Sequence, residues 1–163
     1  MGTENGKIVG VIATEEPEIH WAFLKVKDKV VLDLGCGVFY SQKSTTEWFR
    51  EQGAKRIIGV DMGDYVRGDF EFIQMTIQSQ KQLEDLLKYK PEIIKCDIEG
   101  AEVFWEGVKT LGRCKQFAVE YHSNELKILM EEKMKEWGFN LEFYQLFTED
   151  INRVGVIHGW KNF

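Results

Sequence analysis

Val30-Val31-Leu32-Asp33-Leu34-Gly35-Cys36-Gly37 decides how the rest of the chain reads. An apolar run rich in β-branched residues, carrying an acid and ended by Gly-x-Gly, describes a buried parallel strand that breaks into a tight turn. Gly35 and Gly37 let bare main chain come close to a ligand. A second run, Arg56-Ile57-Ile58-Gly59-Val60, also ends on an acid, Asp61. Strand, glycine turn, helix, strand and terminal carboxylate together make a nucleoside-binding half-site, the second acid being placed to accept hydrogen bonds from ribose hydroxyls.

A dinucleotide site wants a third glycine three residues after the second, so that a helix N-terminus can meet a pyrophosphate. Here Val38 and Phe39 lead to Tyr40, which is bulky and unsuited to that role. NAD is therefore the alternative ligand and not the leading one. The Asp-x-Gly-x-Gly form resembles motif I of the class I S-adenosylmethionine-dependent methyltransferases, whose cofactor has no pyrophosphate and carries an amino-acid tail.

Upstream, Lys7–Ile12 reads as a small strand or an extended arm. Glu15, Glu16, Pro17 and Glu18 suit the first turn of a helix, and Ile19, Ala22, Phe23 and Val26 follow at helical spacing. Residues 1–28 thus read as an N-terminal arm with an amphipathic helix; the methyltransferase resemblance implies a lid there, on which His20 and Trp21 would face substrate, against ordinary packing with His20 exposed as the leading expectation. Downstream, Ser44 with Glu47 and Ser79 with Gln82 match capping boxes, Ser123 caps a third helix, and Gly53 and Gly138 are placed to end helices. Asp69–Met75 alternates as a half-buried strand. Glu92–Asp97 is a strand ending on an acid, and Ala101, Phe104, Trp105, Val108 and Leu111 give a helical stripe that Gly112 closes. Gln116–His122 is a further strand. Leu141–Phe147 and Val154–Trp160 are joined by a short polar loop, which requires an antiparallel pair.

Strands alternate with helices until that last pair. The expected fold is α/β: a Rossmann-like, doubly wound three-layer sandwich with a mostly parallel sheet ending in an antiparallel hairpin. Residues 1–163 read as one domain, without internal repeats or low-complexity segments. Class I methyltransferases end their sheet in the same way.

Lys95-Cys96-Asp97-Ile98-Glu99-Gly100-Ala101-Glu102 resembles the Lys-Ile-Asp-Val-Glu-Gly-Ala-Glu signature of the FkbM-type methyltransferases, mostly O-methyltransferases, differing at Cys96 and Ile98. Ala118-Val119-Glu120-Tyr121-His122 resembles that family's later Glu-x-His segment. The resemblance spans most of the chain from Val30 onward. It implies O-methylation of a small-molecule hydroxyl, with S-adenosyl-L-methionine as cofactor.

Ligands of open parallel sheets bind outside the carboxyl ends of the strands, where these acids converge. Asp33 and the Leu34–Gly37 segment, including Gly35 and Cys36, would receive the methionine part of the cofactor. Asp61 would hold the ribose, and Met62 and Met75 would sandwich the adenine. His122 is the candidate general base, with Glu120 two residues away on the same sheet face. Asp97 and Glu99 would meet the cofactor's amino group or the acceptor, while Glu102 also suits a helix N-terminus. Asp97, Glu99, Glu120 and His122 form an oxygen-rich set able to take a divalent ion, but no metal is assigned. His158 reads as a strand residue without a chemical role.

The bulk properties agree with an ordinary globular domain: 163 residues, 44% hydrophobic and 13% aromatic. A net charge of −6 argues against a nucleic-acid partner. No apolar run has the length of a membrane span. Cys36, Cys96 and Cys114 form no CxxC pair and read as reduced thiols of a cytoplasmic protein. Self-association into a homo-oligomer is left open. The competing reading is a cofactor-binding module that has lost activity.

Overall fold

A computed structural model of the chain describes residues 6–14, 16–37, 44–63 and 71–162. The Val38-Phe39-Tyr40 continuation of the glycine turn, Glu15, and Asp69 and Phe70 of the fourth strand lie outside the described residues. In chain order the elements are β1 (Gly6–Ile12), α1 (Pro17–His20), β2 (Val30–Leu34), α2 (Thr45–Glu51), β3 (Arg56–Asp61), β4 (Glu71–Gln74), α3 (Gln80–Leu87) and β5 (Ile93–Cys96). A 3-10 turn (Ala101–Trp105), β6 (Gln116–Tyr121), α4 (Asn124–Glu136), β7 (Asn140–Leu146) and β8 (Gly155–Trp160) complete them.

The strands form one eight-stranded sheet in the order β1-β7-β8-β6-β5-β2-β3-β4. All neighbouring pairs are parallel except those of β8, which runs antiparallel to both β6 and β7. The β7–β8 hairpin is therefore present, but it does not end the sheet: β1 adds a further parallel edge strand beside β7. Period-two alternation divides the core. Leu32, Ile58 and Ile94 pack on one face with Leu83 of α3, Trp105 and Met130 of α4. Val31, Ile57 and Ile93 pack on the other with Trp21, Leu24, and Trp48 and Phe49 of α2. Both faces being covered gives three layers.

Three helix starts form as their caps dictate: Ser44, Ser79 and Ser123 each accept a hydrogen bond from the backbone N–H three residues on. Two other expectations fail for identifiable reasons. The helical stripe Ile19, Ala22, Phe23, Val26 does not form beyond one turn, since α1 stops at His20. Trp21 and Leu24 donate within local turns, to the Pro17 and Trp21 carbonyls, and a side chain of the sheet then takes over: Gln116 accepts from the Lys25 N–H at 2.9 Å and donates to the Phe23 carbonyl at 3.2 Å. The chain continues there as turn and irregular backbone, burying Trp21, Leu24 and Val26 and leaving Ile19 and Ala22 outside. Likewise the stripe from Ala101 to Leu111 becomes a single 3-10 turn. Trp105, Val108 and Leu111 are buried as the pattern requires, but along an irregular path.

At the end of β2 the chain turns through Gly35 (φ +78°) and Gly37 (φ +72°). A Cβ on Gly35 would stand 1.9 Å from the Asp97 carbonyl oxygen, whereas one on Gly37 would meet nothing within 4 Å. Both positions need glycine for their dihedrals, but only Gly35 needs it for close approach. Gly35→Ala is therefore expected to cost about 2–5 kcal/mol and Gly37→Ala about 1–2 kcal/mol. Urea unfolding of the two variants checks this, and equal losses would mean that the β2 turn does not sit against β5.

Candidate active site at the carboxyl ends of the strands

The site is built on the sheet face that carries Val31 and Ile93. Residues two apart share a face, so Asp33 follows Val31, Lys95 and Asp97 follow Ile93, and Glu120 follows Gln116 and Ala118. Asp33 and Lys95 are direct neighbours in the β2–β5 register. Lys95 Nζ lies 3.2 Å from Asp33 Oδ1 and donates to the Gly35 carbonyl at 2.5 Å, above the Trp21 ring. Thr45, in the first turn of α2, donates to Asp33 Oδ2. Burial raises the Asp33 pKa, and Lys95 and Thr45 oppose it. Burial pulls Lys95 down, but Asp33 and then Asp97 outweigh it and hold the ammonium above its ordinary value. Lys95 thus stays protonated, and the two form an ion pair.

This arrangement revises the role expected of Asp33. Its side chain is fully buried and faces Lys95 and Thr45, so it shapes the turn from below and does not reach a ligand's ammonium group. Leu34 and Cys36 are also buried, and any contribution to a ligand comes from their backbone. Asp61 ends β3, where its Oδ2 accepts from the Gly37 N–H at 2.9 Å and its Oδ1 from the Gly63 N–H at 3.1 Å. Met62 is 60% exposed beside it. Met75 donates its N–H to the Asp61 carbonyl and packs its side chain partly into the core.

Across the sheet, Glu120 lies between two imidazoles. His122 Nε2 is 2.9 Å from Oε2, and His20 Nε2 is 2.8 Å from Oε1. His20, expected to be exposed, is 5% exposed and stacks on Trp21 at 4.4 Å. Its approach to Oε1 is short, yet Nε2 lacks a well-directed hydrogen bond. Asp97 joins the group, one ligand atom from each of Asp97, Glu120 and His122 lying within 4.8 Å of the others. Burial, then the Glu120 charge, raises the Asp97 carboxyl to about 7. Burial acts against the Glu120 charge too, but the His122 hydrogen bond and the close approach of His20 outweigh it and hold Glu120 at about 2. The bond to Glu120 raises His122 to about 9 against the pull of burial.

Glu99 lies apart from this group on an exposed turn, at φ 48°. Glu102 is buried, and its carboxylate folds back onto the Gly100 N–H at 3.3 Å, a local structural use. His158 is enclosed in a separate network at the amino end of β6, with Glu142 at 2.8 Å and Gln116 at 3.0 Å. All three cysteines are buried and free. A hollow lined by Gln80, Leu87, Lys88, Val108 and Arg113 lies where chain enters β5 and β6, away from these groups.

Sequence reasoning missed the Lys95–Asp33 pair and the approach of His20 to Glu120. Lys95 had a signal, a lysine inside the apolar run Ile93-Ile94-Lys95-Cys96, which folds only with a buried partner. His20 had none, because its partner lies 100 residues away.

No family model matches the chain, and no curated protein matches it. Among solved structures, the precorrin-6y C5,15-methyltransferase of Geobacter metallireducens is similar at 14% identity and TM-score 0.56, over 90% of this chain and 87% of that one. The MycE methyltransferase of the mycinamycin biosynthetic pathway, in complex with Mg and SAH, matches at 13% and 0.54, over 89% of this chain and 48% of that one. A candidate hemolysin from Lactococcus lactis matches at 15% and 0.52, over 85% and 81%. The chain shares the Rossmann-like α/β fold of these methyltransferases.

Two measurements check the site's electrostatics. Lys95→Met leaves a buried carboxylate unpaired and is expected to cost about 3–5 kcal/mol in chemical unfolding, while Lys95→Met with Asp33→Leu recovers most of it. A single-variant loss that the double variant does not relieve would show that the pair is not coupled. The raised His122 pKa means that its pairing with Glu120 stabilises fully below about 6.5, its ordinary value, and fades as pH climbs through about 9. NMR titration of chelator-treated protein should find this midpoint, and Glu120→Gln should return it toward about 6.5. An unmoved midpoint would rule Glu120 out as the cause.

Proposed function

We propose that this chain is an S-adenosyl-L-methionine-dependent methyltransferase of FkbM type that methylates a hydroxyl of a small molecule. The observation that carries the reading is one rim of strand ends. The Gly35–Gly37 turn and Asp61 stand on one side of it, and the Asp97–Glu120–His122 group stands across from them. The likeness to a methyltransferase holding SAH supports the cofactor. The FkbM assignment rests on the Lys95–Glu102 octamer and the Glu120–His122 segment.

In this reading Asp61 accepts hydrogen bonds from the ribose hydroxyls, and the adenine lies between Met62 and Met75. The backbone of Leu34–Gly37, together with Asp97, receives the methionine tail. The acceptor oxygen attacks the methyl carbon in line as the carbon–sulfur bond breaks, leaving S-adenosylhomocysteine. Glu120 orients the His122 ring through Nε2, so His122 takes the hydroxyl proton at its other nitrogen, Nδ1, in the neutral form that its raised pKa favours at alkaline pH, and Glu99 contacts the acceptor from the rim. Residues 1–163 act as one domain. The 17–26 segment, one helical turn followed by an irregular path, plays the covering part expected of a lid. Three buried free thiols suit a cytoplasmic setting. Among the described residues no helix is long and apolar enough to cross a membrane.

Calorimetry with S-adenosylmethionine, S-adenosylhomocysteine and NAD tests the cofactor. The first two are expected to bind, Asp61→Ala weakening each by about tenfold or more. His122→Ala should keep that affinity and lose turnover once an acceptor is found. NAD binding without any response to S-adenosylmethionine would overturn the reading in favour of an oxidoreductase. Cofactor binding with turnover intact in His122→Ala would remove the base assignment.

A further inference from the structure

We propose that Asp97, Glu120 and His122 form a binding site for a divalent first-row transition ion. One donor atom from each lies within 4.8 Å of the other two. Ligands bonded at about 2.1 Å stand about 3 Å apart when adjacent on an ion and about 4.2 Å apart when opposite. The His122 Nε2 to Glu120 Oε2 separation of 2.9 Å has the adjacent spacing.

One buried atom points to a missing positive partner, and neither neighbouring cationic side chain supplies it. Asp97 Oδ1 is closed to solvent and accepts no hydrogen bond, a costly state for a carboxylate. The neighbouring cation, Lys95, cannot relieve it, being committed to Asp33 and the Gly35 carbonyl. Nor does His20 do so: 5% exposed, it brings Nε2 to 2.8 Å from Glu120 Oε1, the oxygen that His122 does not approach. Carboxylate ligands are commonly held from behind in this manner, leaving the second oxygen for the metal.

The donor set selects the class of ion. One imidazole with two carboxylates suits Mn2+, Fe2+ or Zn2+, whereas Mg2+ and Ca2+ prefer oxygen alone. The His122 side chain is 36% exposed, so the cluster opens to solvent on its side, where an acceptor oxygen can complete the coordination. The use of the ion rests on the methyltransferase reading, but its binding does not. With the ion seated, His122 is a ligand and not the base; the ion lowers the pKa of the acceptor hydroxyl, whose proton passes to water.

Titration calorimetry of the chelator-stripped chain with MnCl2, ZnCl2 and MgCl2 is the test, with S-adenosylmethionine affinity measured on the same samples. One saturable site for Mn2+ and Zn2+ is expected, with Mg2+ weaker by about tenfold or more. Asp97→Asn and His122→Ala should each weaken Mn2+ by about tenfold or more, and the remote Glu84→Gln should not. Should a variant fail to fold, paramagnetic broadening by Mn2+ in the wild-type protein must fall first on residues 97 and 120–122. No saturable site, binding indifferent to both variants, or broadening centred elsewhere overturns the proposal. S-adenosylmethionine binding without metal binding removes the ion and leaves the methyltransferase reading standing; metal binding without S-adenosylmethionine does the reverse.

Discussion

A lysine buried in the middle of a sheet is the constraint on which the rest of this site depends. Lys95 is 1% exposed, its register neighbour Asp33 is 0% exposed, and neither charge can be left alone at such a position. Their pairing does more than neutralise. The same ammonium reaches the Gly35 carbonyl, so the β2 turn is tied to β5 as well as to its own strand. The turn must also lie flat against Asp97, where the space left beside Gly35 excludes a single methyl group. An ionic bond from below and a steric limit from the side together fix where bare backbone is presented. Neither requires a ligand to be bound.

The second ordering element is the N-terminal segment, which runs along β6 from one end to the other. At the carboxyl end His20 meets Glu120, and at the amino end Phe23 and Lys25 meet Gln116. Glu120 and Gln116 are four residues apart on one face of that strand, so the strand's own period sets the spacing at which the segment is pinned. Trp21, between the two anchor points, lies beneath the Lys95 ammonium. The segment therefore supplies a wall to the ion pair and an imidazole to the cluster.

This explains which parts of the molecule could be read from the sequence. The β2, β3, β5 and β6 strands are short apolar runs buried on both faces, and the serine caps act within four residues, so local pattern was enough for both. The grouping of Asp97, Glu120 and His122 followed from the rule that parallel strands end on one rim. What was not legible depends on partners far along the chain. The spacing of Ile19, Ala22, Phe23 and Val26 is helical, but the hydrogen bonds that would extend the helix are outcompeted by a glutamine some ninety residues later. The stripe from Ala101 to Leu111 identified buried residues correctly and the backbone path wrongly, because burial constrains side chains and not their i→i−4 bonds. Asp33 was read as a ligand-facing acid because its partner was taken for an ordinary strand residue.

The cluster's electrostatics follow from the same geometry. Asp97 and Glu120 are brought side by side by adjacent parallel strands ending together, and two buried carboxylates in that position cannot both ionise without help. Here the help is unequal. Glu120 has an imidazole on each oxygen and keeps its charge, while Asp97 has none and is pushed toward neutrality. The asymmetry gives the rim one firm anion, one raised acid and one raised base within a few ångströms, the pattern by which a single site can hold a proton, yield one or exchange it for a cation. Asp97 is the member whose state changes most readily, and it is also the residue whose carbonyl oxygen presses on Gly35. The backbone of the glycine turn and the charge of the cluster are thus joined through one residue.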